Sequence, residues 1–150
     1  MIGYMSSLPP ASESARIDAF RRGLRELGYV EGKNLTIEYR WAQGKLERLS
    51  ELASELARLK VDVIATGGPT ASRPAKEATS IIPIVMAFDS DPVGSGFVAS
   101  LAQPGGNMTG LSTVSPEVTG KQMELLKEII PKLSRVAILG TSSNPGNAQA

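Results

Sequence analysis

The sequence predicts an α/β fold: a three-layer, doubly wound, mostly parallel sheet of five strands. Three observations predict it. Short apolar runs alternate with longer amphipathic stretches, the amphipathic stretches repeat apolar residues every three or four positions, and glycine or proline separates most neighbouring elements. The chain has 150 residues, of which 41% are hydrophobic and 21% charged, and this is enough to bury the core of one ordinary domain.

The first strand is predicted at residues 2–6, an apolar run before the loop Ser-Leu-Pro-Pro. A helix follows, ended by Gly28, because apolar residues at helical spacing share one face. These residues are Ile17, Phe20, Leu24 and Leu27. Residues 35–41 alternate apolar and polar side chains, which is typical of a half-buried edge strand. The second helix, at 46–59, is the most regular, with leucines repeating at helical spacing.

Branched residues predict the third strand at 61–66, and the Gly67-Gly68-Pro69 sequence ends it. A short helix then runs to residue 79; because Pro74 is tolerated only in a first turn, its regular part is predicted to start near Ser72. A fourth strand at 83–88, a fourth helix at 93–101 and a fifth strand at 108–112 complete the unit.

Composition excludes several kinds of chemistry. The chain has no cysteine and no histidine, so it has no disulfide, no zinc–thiolate site and no Ser-His-Asp triad, and we predict no metal and no cofactor. A formal net charge of +1 argues against nucleic acid as a partner. No apolar run approaches the ~20 residues that span a bilayer. No leader pattern is visible, so we expect a cytoplasmic protein or one whose export signal is not part of this sequence.

Ligands of open parallel sheets bind beyond the carboxyl ends of the strands, so the loops after strands one, three and four are the candidate site. In the second of these loops, Gly67 and Gly68 allow close approach of the backbone, while Thr70 and Ser72 offer hydroxyls. A helix start beside them suits a carboxylate. The same glycines are equally explained as a simple strand-to-helix turn. Four arginines are expected to form a solvated helix face: Arg16, Arg21, Arg22 and Arg25.

The acidic turn after strand four admits two interpretations. Asp89-Ser90-Asp91-Pro92-Val93 resembles the first motif of haloacid-dehalogenase-type phosphohydrolases, which would make Asp89 a nucleophile and Asp91 a partner in Mg²⁺ and acid–base steps. That motif normally lies on the first strand, and no second acidic pair follows here. The commoner interpretation is that one of these aspartates caps a helix beginning near Pro92.

Residues 116–131 predict a further amphipathic helix and residues 135–140 a buried strand, which the five-stranded unit does not need. The last residues also echo the first, since both ends carry an apolar strand leading into Ser-Ser-x-Pro. This echo is explained either by chance or by a second lobe whose first strand it marks.

Two segments resemble the ABC-transporter substrate-binding family that includes bacterial tryptophan and tyrosine binders: residues 66–71 (TGGPTA) and, more specifically, residues 91–110 (DPVGSGFVASLAQPGGNMTG). Residues 28–35 and 121–131 are similar too. The resemblance implies a type I periplasmic-binding-protein fold in which two lobes close on a solute. It also implies a periplasmic or membrane-anchored location, delivery to a membrane permease and no catalysis.

The resemblance also implies domains and a site. Residues 1–112 would form the ligand-binding lobe, 113–115 the crossing at the hinge, and 116–150 the truncated start of the second lobe. The implied ligand contacts are Ser6, Ser7, Gly68, Pro69, Thr70, Ala71, Asp89, Ser90 and Asp91. Two departures from the family pattern argue against an aromatic ligand, namely Pro74 and a first loop without histidine.

We therefore expect a small carboxylated solute, with an amino acid as the leading case. The 150 residues alone are expected to bind weakly, because closure places the solute between two lobes. The 116–131 helix is expected to fold back on the first lobe or to pair with a second copy as a homodimer. The third alternative is the ligand-sensing core of a sugar-responsive regulator, which would need an additional N-terminal DNA-binding segment.

Overall fold

The computed structural model describes residues 1–113 and 115–137. One turn of 3₁₀ helix, Leu46–Arg48, precedes the second helix. In chain order the elements are β1 (Ile2–Ser6), α1 (Pro10–Glu26), β2 (Ile37–Trp41), α2 (Leu49–Arg58), β3 (Val63–Thr66), α3 (Pro69–Ala78), β4 (Ile84–Asp89), β5 (Met108–Ser112) and α4 (Ser115–Ile129). The predicted α/β class is confirmed.

The five strands form one sheet in the order β2-β1-β3-β4-β5, and every neighbouring pair is parallel. The chain first moves outward from β1 to β2, which makes β2 an edge strand as its alternating pattern predicts. It then returns to the other side of β1 and continues outward through β5. The strand order therefore reverses between β1 and β3, and a crevice opens there beyond the carboxyl ends of the strands.

Helices cover the two sheet faces unequally. On one face α2 and α3 bury a continuous core, with Leu56, Ile64 and Ile84 all at 0% exposure. On the other face α1 buries a smaller cluster that includes Tyr4 and Ile17. Beyond β3 this second face is open along β4 and β5, where Val85 is 40% and Leu111 70% exposed.

The predicted helix at residues 93–101 is wrong, because the structure has a series of turns there. Ser95 and Phe97 donate backbone hydrogen bonds to Asp91 and Pro92 at 2.9 and 2.8 Å, respectively. Gly96 takes a φ of +69°, which ends any helical path. Phe97 and Val98 are 4% and 8% exposed, so burial of these two side chains in the main core determines the course of the segment.

The predicted start of α3 near Ser72 is also wrong. The helix begins at Pro69, and Pro74 lies inside it. Proline suits the first helical position, since its fixed φ is already helical, and Gly68 allows the chain to turn directly from β3 into the helix. Pro74 removes only one main-chain donor, the one that would face the carbonyl of Thr70.

The last described element, α4, agrees with the predicted 116–131 helix. Three of its apolar side chains remain exposed: Val118 (48%), Leu125 (46%) and Ile129 (76%). Residues 135–137 form no strand in the structure, and the rest of the predicted 135–140 strand lies outside the described residues. None of the helices in the described ranges has the length and apolar character of a transmembrane span.

Candidate ligand-binding site

The three predicted loops lie at the carboxyl ends of β1, β3 and β4, which are adjacent in the sheet. The structure therefore brings the candidate residues to one edge, on both sides of the point where strand order reverses. Ser6 is fully buried, and its Oγ accepts the backbone N–H of Leu8 at 3.1 Å. Ser7 is half-buried at the mouth of the crevice.

The turn after β3 requires glycine at residue 68. Gly68 has a φ of +143°, and a Cβ there would lie 3.0 Å from Cζ of Phe88. Both features exclude larger residues and let the backbone pass close to the aromatic ring. Half-buried Pro69 and Thr70 follow as the first residues of α3. The N–H of Thr70 belongs to the first turn, so it has no acceptor within the helix.

Two predicted contributors to this turn do not face the crevice. The Ser72 hydroxyl is buried, donates to the carbonyl of Gly68 at 3.0 Å and lies 2.7 Å from Oγ1 of Thr66. Expecting Ser72 to offer its hydroxyl to a ligand is therefore wrong. Ala71 is 1% exposed and packs in the main core, so its contribution to the turn is its backbone, with the N–H donating to the Gly68 carbonyl at 3.1 Å.

A buried carboxylate lies beneath the turn. Glu13, on α1, is 1% exposed, and its Oε2 accepts the hydroxyl of Tyr4 at 3.2 Å. A Cβ on Gly67 would lie 3.0 Å from both Glu13 Oε1 and the Tyr4 hydroxyl oxygen. Burial, followed by the charge of Glu13, raises the pKa of Tyr4, which keeps that hydroxyl protonated as a donor.

Arg16 connects this carboxylate to the ring of Phe88. Its Nη1 lies 3.3 Å from Oε1 of Glu13, and its guanidinium carbon lies 5.0 Å from the centre of the Phe88 ring. Arg16 is exposed, as expected of a solvated helix face, but it also makes these two specific contacts. Of the other three arginines, Arg21 pairs with Glu31 at 2.8 Å, while Arg22 and Arg25 are exposed.

The turn after β4 carries a buried acid with an unused oxygen. Asp89 is 0% exposed, and its Oδ1 accepts the N–H of Asp91 at 2.8 Å. Within the described residues, Oδ2 has no hydrogen-bond partner. Burial raises the pKa of Asp89, although hydrogen bonds from the backbone and the nearby charge of Arg73 act in the opposite direction.

Asp91 is half-buried, and its Oδ1 accepts the N–H of Gly94 at 2.8 Å. Since no helix follows, the predicted helix cap is instead a cap on a turn. The series of turns that follows is held against α3 by two cations, which bind residues 95–97. Arg73 donates to the carbonyl of Ser95 at 3.1 Å, and Lys76 donates to the carbonyl of Phe97 at 3.0 Å.

Sequence reasoning missed four side chains of this edge: Tyr4, Glu13, Arg16 and Phe88. One signal was available. Glu13 stands four residues before Ile17 and therefore occupies the same stripe of α1 that predicts the buried helix face. An acidic residue on an apolar stripe indicates a buried carboxylate with a specific partner. The partners themselves come from β1 and β4, far along the chain.

The edge can bind a small polar molecule. Thr70 and the glycine turn offer donors suited to a carboxylate, and Oδ2 of Asp89 is an acceptor suited to an amine. In the described residues no group of three or more acidic side chains converges as metal ligands would. An open parallel sheet with such loops at its reversal point is an architecture that binds small ligands at this edge.

The chain belongs to the family of ABC transporter substrate binding proteins, whose model matches residues 8–150. This confirms the resemblance seen in the sequence. The members are substrate-binding proteins rather than enzymes, so the interpretation of Asp89 as a phosphohydrolase nucleophile is wrong. Membership also separates the chain from the sugar-responsive regulators considered above.

Individual relatives support this family assignment. The tyrosine-binding protein of Clostridioides difficile is 32% identical over 134 residues, which cover 89% of this chain and 38% of that protein. The structure of a conserved domain protein of Vibrio cholerae is 30% identical to this chain and superposes on it with a TM-score of 0.85. The match covers 99% of this chain and 49% of the Vibrio cholerae chain. The ABC domain of Streptococcus pneumoniae in complex with L-Trp is 26% identical with a TM-score of 0.85 and the same coverages. The chain thus spans less than half the length of each.

Proposed function

We propose that the protein is the solute-binding component of an ABC importer and that its solute is an aromatic amino acid. The observation that carries the proposal is an edge with donors for a carboxylate and a buried acceptor, Oδ2 of Asp89, that has no partner among the described residues. The class of amino acid is supported by two similar proteins, one named for tyrosine and one in complex with L-Trp. These relatives outweigh the departures at Pro74 and the first loop.

In this proposal the two ends of the amino acid bind different turns. The carboxylate lies against the Gly67–Gly68 turn and the start of α3, where N–H groups and the helix dipole favour an anion. The ammonium group donates to Oδ2 of Asp89, which is buried in this structure, so the turn at residues 89–91 must open to admit it. Such a hydrogen bond would satisfy the oxygen that has no partner in the described residues.

The predicted contact residues all remain part of the proposed site. Two of them, Ser6 and Ala71, are expected to act through the backbone rather than through their side chains. Ser7, Thr70, Ser90 and Asp91 are half-buried at the edge and contact the solute directly. Ser6 and Ala71 are buried and act through the backbone that they fix. The ring of the solute lies toward the second lobe, which residues 113–115 connect to residues 1–112.

Binding to the full-length protein tests the proposal. Isothermal titration calorimetry with a panel of amino acids, organic acids and neutral sugars should give the tightest binding for tryptophan or tyrosine. Binding of neutral sugars alone would exclude the proposal. The 150-residue chain should bind the same solute far more weakly, because the second lobe supplies the other contacts. Equal affinity would contradict the two-lobe site.

The partner in this proposal is a membrane permease, and the location is extracytoplasmic, in the periplasm or anchored to the membrane. We also propose that the exposed apolar side chains of α4, including Leu125 and Ile129, pair two copies of the 150-residue chain. Sedimentation of this chain should show a dimer that Leu125→Glu converts to a monomer. A monomer before substitution would exclude that pairing.

A further inference from the structure

Arg16 differs from an ordinary surface arginine because two groups fix its position. Its Nη1 is paired with Glu13, a carboxylate whose side chain has no exposed surface. Its guanidinium plane is also packed over the ring of Phe88. Contact with an aromatic face and pairing with a buried acid together restrict the rotamers of the side chain, so little freedom remains to be lost on binding.

This fixed cation lies beside the proposed carboxylate end of the site. A Cβ on Gly68 would lie 3.0 Å from Cζ of Phe88, and the guanidinium carbon of Arg16 lies over the same ring. Glu13, the partner of Arg16, lies directly beneath Gly67. The guanidinium is therefore attached, through both of its partners, to the same turn that begins α3.

Within the part of the chain that the structure describes, the guanidinium also has unused donors. With Nη1 directed at Glu13, Nη2 and Nε make no hydrogen bond there, and the side chain of Arg16 is 56% exposed. A guanidinium presents its N–H groups in a planar fork that matches the two oxygens of a carboxylate. The ion pair with Glu13 thus orients the guanidinium and leaves Nη2 and Nε available to a ligand.

We propose that Arg16 binds the carboxylate of the solute and that Glu13 is a positioning residue which orients Arg16. This inference rests on the proposed function. It assigns Arg16 to the carboxylate, the group that distinguishes an amino acid from the corresponding amine. Asp89 accepts the ammonium group, so an amine without a carboxylate keeps the Asp89 contact and loses the Arg16 contact. Arg16 therefore determines selectivity between these two classes of ligand.

The experiment compares L-tryptophan with tryptamine, and L-tyrosine with tyramine, by calorimetry on the full-length protein. The wild-type protein should prefer each amino acid. Arg16→Gln should weaken binding of the amino acid roughly 10- to 100-fold, the usual effect of losing hydrogen bonds to a charged group. Binding of the amine should not change. Arg22→Gln, an exposed arginine on the same helix, is the matched control and should leave both affinities unchanged.

Two further variants keep the test decisive. Arg16→Lys retains a cation beside Glu13 but loses the fork, so it should recover only part of the preference even if Arg16→Gln does not fold. Glu13→Gln should reduce the ratio of the two affinities by a smaller factor, which a purely structural role of Glu13 would not do. An unchanged ratio in the Arg16 variants would overturn the inference while leaving the proposed function intact. A wild-type protein that binds none of the four compounds would overturn the proposed function itself.

Discussion

The turns after β3 and β4 lie side by side at one sheet edge, and a buried acid lies at each of them. The two acids differ in how completely they are hydrogen-bonded. Beneath the first turn, Glu13 is paired with both Tyr4 and Arg16. In the second turn, Asp89 has one oxygen bonded to the backbone and one without a partner in the described residues. Hydrogen bonds offset the cost of burying Glu13, whereas the oxygen of Asp89 without a described partner destabilises the empty site and gains when a donor arrives.

The largest expected effect comes from removing the unpaired charge. Asp89→Asn should weaken binding of the amino acid to the full-length protein roughly 10- to 100-fold, because a charged acceptor for the ammonium group is lost. The same change should raise the melting temperature of the empty protein, since a neutral amide is less costly to bury than a carboxylate. Calorimetry and thermal unfolding measure the two effects.

The pH dependence sharpens the same comparison. Because burial raises the pKa of Asp89, the folded protein holds this proton more tightly than the unfolded chain does. The resulting stabilisation is present below the unfolded pKa of about 3.9 and is lost as the pH rises through the folded value. The advantage of Asp89→Asn should therefore grow from pH 3.5 toward neutrality. Asp18→Asn, at an exposed residue of α1, is the control for the general effect of removing one negative charge.

The next effect concerns the space above Glu13. Gly67→Ala should reduce the free energy of unfolding by about 1–3 kcal/mol, as is usual for overpacking. The added methyl group would press on Glu13 and Tyr4, which hold each other in place. Gly23→Ala is the matched control, because a Cβ there meets nothing within 4 Å. It should stabilise α1 by about 0.5–1 kcal/mol. A neutral Gly67→Ala in denaturant unfolding would show that the turn is loosely packed.

The smallest effect comes from one hydrogen bond. Tyr4→Phe should reduce the free energy of unfolding by about 1–2 kcal/mol, because Oε2 of Glu13 then loses its donor while remaining buried. Tyr29→Phe, at a residue that is 51% exposed, should change it by less than about 0.5 kcal/mol. Equal stabilities of the two variants in urea would mean that water replaces the Tyr4 hydroxyl.

The elements that local pattern determines were predictable from the sequence. The leucine repeat placed the second helix, and the alternation in residues 35–41 identified an edge strand. The helix predicted at 93–101 failed because Phe97 and Val98 bury in a core made by distant elements. Helix α3 starts earlier than predicted because Pro69 suits the first helical position, which leaves Pro74 inside the helix at the loss of one main-chain donor.

The candidate site was likewise predictable where local sequence pattern determines it and not where distant residues meet. The order of strands and loops places Thr70 and Asp89 at one edge, and both could be read from the sequence. The contact between Glu13 and Gly67, and that between Arg16 and Phe88, join residues more than 50 positions apart. No local pattern encodes such pairs, so the electrostatics of the site became visible only in three dimensions.

The attachment of the β4 turn to α3 has a mechanical consequence. Arg73 and Lys76 bind backbone carbonyls of residues 95–97, so this segment is fastened to the helix that begins at the β3 turn. Residues 95–97 cannot move away from α3 without breaking charge-assisted hydrogen bonds. In the proposed two-lobe protein, we expect closure over a solute to move α3 and residues 95–97 together.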